Sequence, residues 1–221
     1  MKQVLILTLI CIFSTLSKGQ NMPFKMGFLL NPAYCDRLNV QSDLLRGIFI
    51  GKYAYSIGIF AQKKMTKTLD GRFGINFVNN GEQTIQQPIW VKLNGNLFTS
   101  SSAEAIQLIS NFYNIEIPID IQWFINRKRS FFAIFGASPS YNFSKSGTVN
   151  FYTNGQLTTS NTSKRAGDAV LALALQFGMG YQKALNNNLL FEIQPKFRYY
   201  ATNAANSRYM YNAGLQLNLI F

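Results

Sequence analysis

Leu171-Ala172-Leu173-Ala174-Leu175-Gln176-Phe177-Gly178-Met179-Gly180-Tyr181-Gln182 decides the fold. Odd positions are large and apolar; even positions are small or polar. That is the period of a strand with two different faces. The same phase returns after a short Asn-rich turn, with Leu189, Phe191, Ile193, Pro195, Phe197 and Tyr199 on one face. Leu190, Glu192, Gln194, Lys196, Arg198 and Tyr200 lie on the other. It returns again in Tyr209, Tyr211, Ala213, Leu215, Leu217, Leu219 and Phe221.

Applied to the whole chain, this phase predicts eight strands: 24–35, 50–63, 71–79, 112–125, 130–143, 169–183, 188–200 and 208–221. Short connections at 64–70, 126–129 and 184–187 alternate with long ones at 36–49, 80–111, 144–168 and 201–207. The apolar faces carry no charge except Lys63 and Lys183, both at the short-turn end. The opposite faces carry Gly27, Gly58, Gly74, Gly136, Ser138, Asn76 and Gln122, which suit a crowded interior. Charged residues are 14% of the chain, against about 25% in an ordinary soluble domain. The expected fold is therefore all-β: an eight-stranded antiparallel up-and-down transmembrane β-barrel of the small outer-membrane type, apolar face outward.

Aromatic residues fall at strand ends, where rings belong at headgroup level. One girdle, on the periplasmic side, is Phe24, Phe73, Trp123, Phe131, Tyr181 and Phe221. The extracellular girdle is Tyr34, Tyr53, Tyr113, Tyr141, Tyr199 and Tyr209. Seven ionisable residues on the polar faces point into the narrow lumen: Lys25, Arg72, Glu116, Asp120, Glu192, Lys196 and Arg198. They form either an interior ion-pair network or a gated path for a small ion or solute. Eight strands leave an interior that side chains just fill, which favours the network. In the long connection 80–111, Asn94-Gly95 predicts a hairpin within 89–98, and Ser101 with Glu104 predicts a short helix over 105–109. The Ser-, Thr- and Asn-rich segment 144–168 reads as a loop.

Residues 1–19 have the pattern of a cleaved signal peptide: Lys2, an apolar run over 4–16, and small Ser17 and Gly19 before the cut. Residues 20–221 then form one barrel domain in the bacterial outer membrane. They retain a single cysteine, Cys35, so no intramolecular disulfide is expected. The chain has no histidine, which removes Ser-His-Asp and Cys-His catalysis and most zinc sites. No enzymatic activity, cofactor or metal is expected. The pI of 9.8 does not argue for nucleic acid in an exported chain with a charge-free apolar face.

Phe112-Tyr113-Asn114-Ile115-Glu116-Ile117-Pro118 is followed in order by Phe131 to Tyr141 with Gly136, by Phe177-Gly178-Met179-Gly180-Tyr181, and by Gly214-Leu215-Gln216-Leu217-Asn218-Leu219-Ile220-Phe221. Over 20–221 this order resembles the PorT-like outer-membrane β-barrel family of Bacteroidetes. The resemblance implies an eight-stranded barrel in the outer membrane, with a namesake tied to protein secretion across that membrane. The outward Phe221 behind Leu219, Leu217 and Leu215 resembles the signal by which the barrel-assembly machinery recognises its substrates. The expected role is structural or interactive through the long connections, or accessory to other envelope or secretion proteins, as a monomer in outer-membrane lipid. Two alternatives stay open: a channel for a small solute or apolar molecule, and a soluble periplasmic barrel that binds a ligand.

Overall fold

The computed structural model describes residues 24–38, 48–88, 104–167, 171–201 and 209–221. The signal segment expected over 1–19 and the hairpin expected at Asn94-Gly95 lie outside the described residues. Among the described residues there are twelve strands: β1 (Lys25–Leu38), β2 (Phe49–Ile50), β3 (Lys52–Lys64), β4 (Leu69–Thr84), β5 (Gln87–Pro88), β6 (Ala105–Glu116), β7 (Ile119–Phe124), β8 (Phe131–Thr153), β9 (Gln156–Ala166), β10 (Leu171–Asn186), β11 (Leu189–Tyr200) and β12 (Tyr209–Ile220).

Eight walls make a closed antiparallel ring. The order runs β1, β3, β4, then β6 and β7 together, then β8, β10, β11 and β12, which pairs back to β1. The wall made by β6 and β7 is one strand interrupted at Ile117 and Pro118. Pro118 has no N–H to donate, but the ladder is carried past it. Ile117 N donates to Pro139 O (3.0 Å) and Gly74 N to Pro118 O (3.1 Å). At the seam, Met26 and Phe221 exchange two backbone bonds of 3.1 and 2.9 Å. Closure leaves no unpaired edge in the wall, which is what a strand fold needs in lipid.

The short connections lie at one end, called here the turn end; the long ones lie at the other, the loop end. There the sheet continues beyond the ring, and two expectations give way. The helix expected over 105–109 is strand instead. Ala105 and Ile106 find Tyr152 and Phe151 on one side and Pro88 and Gln87 on the other. A paired edge on both sides outweighs a capping signal. The loop expected over 144–168 is a hairpin: β8 runs on to Thr153 and returns as β9, with Thr153 opposite Gln156. Its two-residue turn, Asn154 (φ 52°) and Gly155 (φ 73°), needs φ > 0 at both positions, and Asn-Gly supplies it at least cost.

Inside, buried apolar clusters lie toward both ends of the lumen. Leu29, Phe60 and Ile220, with Leu190 against them, and Phe124, Phe132 and Ile134 lie toward the turn end. Ala33, Cys35, Ala54, Phe112, Ala172, Ala174, Tyr200 and Met210 lie toward the loop end. Two of the inward rings occupy space left by glycine on neighbouring strands. Phe60 is registered against Gly27 and Gly74, and a Cβ on Gly27 would lie 2.4 Å from its ring. Phe132 is registered against Gly180, where a Cβ would meet the ring at 2.4 Å.

Candidate functional site: a polar lumen inside an apolar belt

The polarity of this molecule is inverted relative to a water-soluble barrel. Ile57, Ile75, Ile121, Phe135, Leu175 and Phe177 are exposed, although each lies mid-wall among apolar neighbours. Glu116, Gln122, Glu192 and Gln194 are fully buried. Along β8 the outward aromatics Phe131 and Tyr141 bracket the belt. Ten residue steps at about 3.4 Å, tilted by about 40°, span about 26 Å, which matches the apolar band of an outer-membrane barrel.

Within the lumen, polar side chains from seven walls meet. Arg72 on β4 is the first hub. Its Nη2 lies 2.9 Å from Glu192 Oε2 on β11 and also donates to Gln62 Oε1 (2.7 Å) and Gln122 Oε1 (2.8 Å). Its guanidinium carbon stands 4.4 Å from the centre of the Phe60 ring, so the polar network packs directly on this apolar cluster. Glu192 accepts further bonds from Gln122 Nε2 (3.0 Å) and Asn218 Nδ2 (2.8 Å). One carboxylate thus joins β4, β7, β11 and β12.

The second hub is Glu116 on β6. Arg198 Nη1 lies 3.2 Å from its Oε2, and the Tyr200 hydroxyl donates to its Oε1 at 2.5 Å. Tyr200 in turn accepts from Asn80 Nδ2 at 2.6 Å. Asp120 on β7 makes the third pair, 3.8 Å from Lys196 Nζ, and accepts from Gln176 Nε2 on β10. Gly136 makes room for it: a Cβ there would lie 1.8 Å from Asp120 Oδ1. Three cations face three carboxylates, so this core is formally neutral, as buried charge requires. Asn31, Asn76, Gln194 and Gln216 add buried amide atoms with no protein partner. Groups of this kind are ordinarily met by water, and the polar chain runs on from Arg72 through Gln62 and Asp70 to Arg129 at the turn end.

Six of the seven ionisable residues expected in the lumen are brought together here. Lys25 is not: it is exposed at the turn-end mouth, below the Leu29 and Phe60 layer, because it is the first residue of β1. The sequence phase also pointed to groups outside the expected strands. Arg37 and Glu82 form a pair of 2.9 Å at the loop end. They continue the inward phases of β1 and β4 beyond 35 and 79, where those strands were expected to stop. Asp70, one residue before the expected start of β4, accepts from Gln62 (2.6 Å) and pairs with Arg129.

The aromatic rims are placed as follows. Phe24, Phe73, Trp123, Phe131 and Tyr181 are exposed at the turn end. Phe24 meets Phe73 edge-on at 6.2 Å, Phe131 meets Tyr181 at 5.1 Å, and Phe221 packs on Phe28 at 5.9 Å. At the loop end Tyr34, Tyr53 and Tyr141 are exposed, and Tyr113 and Tyr199 are half-buried. Tyr209 pairs in register with Leu38, but its side chain lies outside the described residues.

No protein-family model matches the chain, and no curated protein matches it in sequence. Among solved structures it is similar to Ail, the attachment invasion locus protein of Yersinia pestis. That likeness has 10% identity and a TM-score of 0.39, over 90% of this chain and 97% of that one. It is also similar to Neisserial surface protein A, with 13% identity and a TM-score of 0.38 over 90% and 98%. The outer membrane protein OprG of Pseudomonas aeruginosa aligns at 10% identity and a TM-score of 0.27 over 88% and 93%.

Proposed function

We propose that this chain is an integral outer-membrane barrel with a side-chain-filled lumen. Its role is non-catalytic: structural, interactive or accessory to secretion, carried by the sheet that extends past the loop end. The observation that carries the reading is the inversion itself, an apolar belt on every wall around a neutral, cross-linked polar core. A water-soluble ligand-binding barrel would place that belt in water, at a cost of about 25 cal/mol for each Å² of apolar surface left exposed. The proposed partners are outer-membrane lipid, the barrel-assembly machinery and other envelope or secretion proteins, with the barrel itself a monomer. The order of motifs in the sequence supports the finer reading of a PorT-like member from Bacteroidetes. In this topology the turn end faces the periplasm and β8 with β9 stands on the cell surface. There β9 is exposed along its whole length and carries only Gln, Leu, Thr, Ser, Asn, Lys, Arg and Ala, a surface fit for polar contacts.

The channel alternative requires a path past the buried Phe60 and Phe132 rings and the Arg72–Glu192 and Arg198–Glu116 pairs. Planar-bilayer recording separates the two readings. The filled barrel is expected to give no steady conductance above the bare bilayer. A steady open state that changes with Glu116→Gln or Arg198→Gln would establish the channel and end the filled-lumen reading.

A further inference from the structure

The turn-end rim carries a long arc of positive charge. Lys63 and Lys64 end β3, and Lys67 lies in the turn to β4. Across the next pair of walls, the turn from β7 to β8 carries Arg127, Lys128 and Arg129. Lys25 and Lys183 flank these turns on β1 and β10. All eight cations sit on six consecutive walls of the ring. The remaining turn, from β10 to β11, is Asn187 and Asn188 between Asn186 and Leu189, without charge. Among the described residues the rim's one side-chain carboxylate is Asp70, already engaged by Arg129 and Gln62.

The arc surrounds a built cleft. Lys25, Lys64, Arg129, Gln62 and Gln182 open onto a cavity of about 290 Å³ whose walls also include Phe24, Leu190 and the Arg129-paired carboxylate of Asp70. Arg129 is held in place there: it also donates to Lys67 O (2.9 Å), and its guanidinium stacks 4.0 Å from the Phe124 ring centre. The arc also continues around the outside of the wall. Lys63 faces outward, its Nζ 5.2 Å from the centre of the Phe24 ring. Lys183 faces outward two residues from Tyr181, which packs on Phe131.

We propose that this arc binds the phosphodiester headgroup of an anionic phospholipid in the inner leaflet of the outer membrane, hooked over the rim between Phe24 and Lys64. The outward lysines decide for lipid over an acidic periplasmic protein. They stand among the girdle rings, at headgroup depth, where a lipid phosphate is and a soluble partner is not. Each cation near such a surface favours an anionic lipid, and the apolar Phe24 and Phe73 rings beside them suit the first methylenes of its chains. The inference rests on the membrane placement proposed above.

The test uses the whole barrel reconstituted in phosphatidylcholine vesicles, with tracer spin-labelled phosphatidylglycerol or spin-labelled phosphatidylcholine. The protein-associated fraction of each is read by electron paramagnetic resonance. The wild type is expected to prefer phosphatidylglycerol by about threefold or more. The preference should fall by about half or more in Lys64→Gln/Lys67→Gln/Lys128→Gln, whose three positions are exposed and which keeps the outward Lys63 and Lys183. It should be unchanged in Lys164→Gln/Arg165→Gln on β9. A folded, vesicle-inserted wild type without preference, or the same preference in the triple variant, overturns the lipid site and leaves the membrane reading standing. Binding of a soluble deca-glutamate peptide in place of lipid selectivity overturns it in favour of an acidic protein. A wild type that does not enter the vesicles overturns the membrane reading and the lipid site together.

Discussion

Glu192→Ala is expected to lower the stability of the folded barrel by about 3–5 kcal/mol, because it leaves the Arg72 guanidinium charged, buried and without its carboxylate. Gln122 and Asn218 lose an acceptor in the same step. The net worth of the intact pair is a different quantity. Desolvation offsets most of the attraction between buried ions, so removing both charges is far milder than removing one. Arg72→Met/Glu192→Met is therefore expected to recover most of the loss. The measurement is urea unfolding in detergent micelles, followed by the gel shift between folded and heat-denatured barrel. Equal destabilisation by the single and double variants would mean that these residues act by packing and not as a pair.

Leu175→Arg is expected to cost about 2–4 kcal/mol on insertion into phospholipid vesicles, and Leu171→Arg about 0–1 kcal/mol. Both side chains point outward from β10. They differ in depth: Leu171 is registered with the rim residue Tyr141, whereas Leu175 is registered with Ala137, midway to the other rim at Phe131. An outward charge at the rim snorkels to headgroups; at mid-wall it cannot. Indifference of the barrel to arginine at either position would place this face in water.

The ring itself was legible because period-2 alternation is a local signal that survives in a membrane wall, where every strand has one lipid face and one lumen face. The charge-free outer face then fixed which way the strands turn. Ionisable lumen residues were legible for the same reason: Arg72, Glu116, Asp120, Glu192, Lys196 and Arg198 all fall on the inward phase. Their pairing was not, because it depends on cross-strand register and side-chain reach, which no single strand records. Phe60 and Phe132 were hidden by the same limit. These two inward aromatics use the space that glycine leaves on a neighbouring wall, and Gly27, Gly74 and Gly180 are neighbours only after the walls pair. At the loop end, polarity misled. Ser, Thr and Asn over 144–166 suggested a loop, yet Thr is a good strand former and both faces of β9 meet solvent. Asn154-Gly155 was the turn signal that marked the hairpin. The helix expected over 105–109 failed because its capping pattern is weak beside two available strand partners.

The central claim is that the outward residues of the ring lie in lipid and deepen toward the middle of the wall. It is tested most directly by spin labels placed singly at Leu171, Leu173, Leu175, Phe177, Met179 and Tyr181 in a Cys35→Ala background, with the barrel in vesicles. Collision rates with oxygen and with a water-soluble nickel chelate give the depth of each label. The predicted result is an oxygen-to-nickel ratio that rises from both ends to a maximum at Leu175 and Phe177. A flat profile with high nickel accessibility at every position would contradict it.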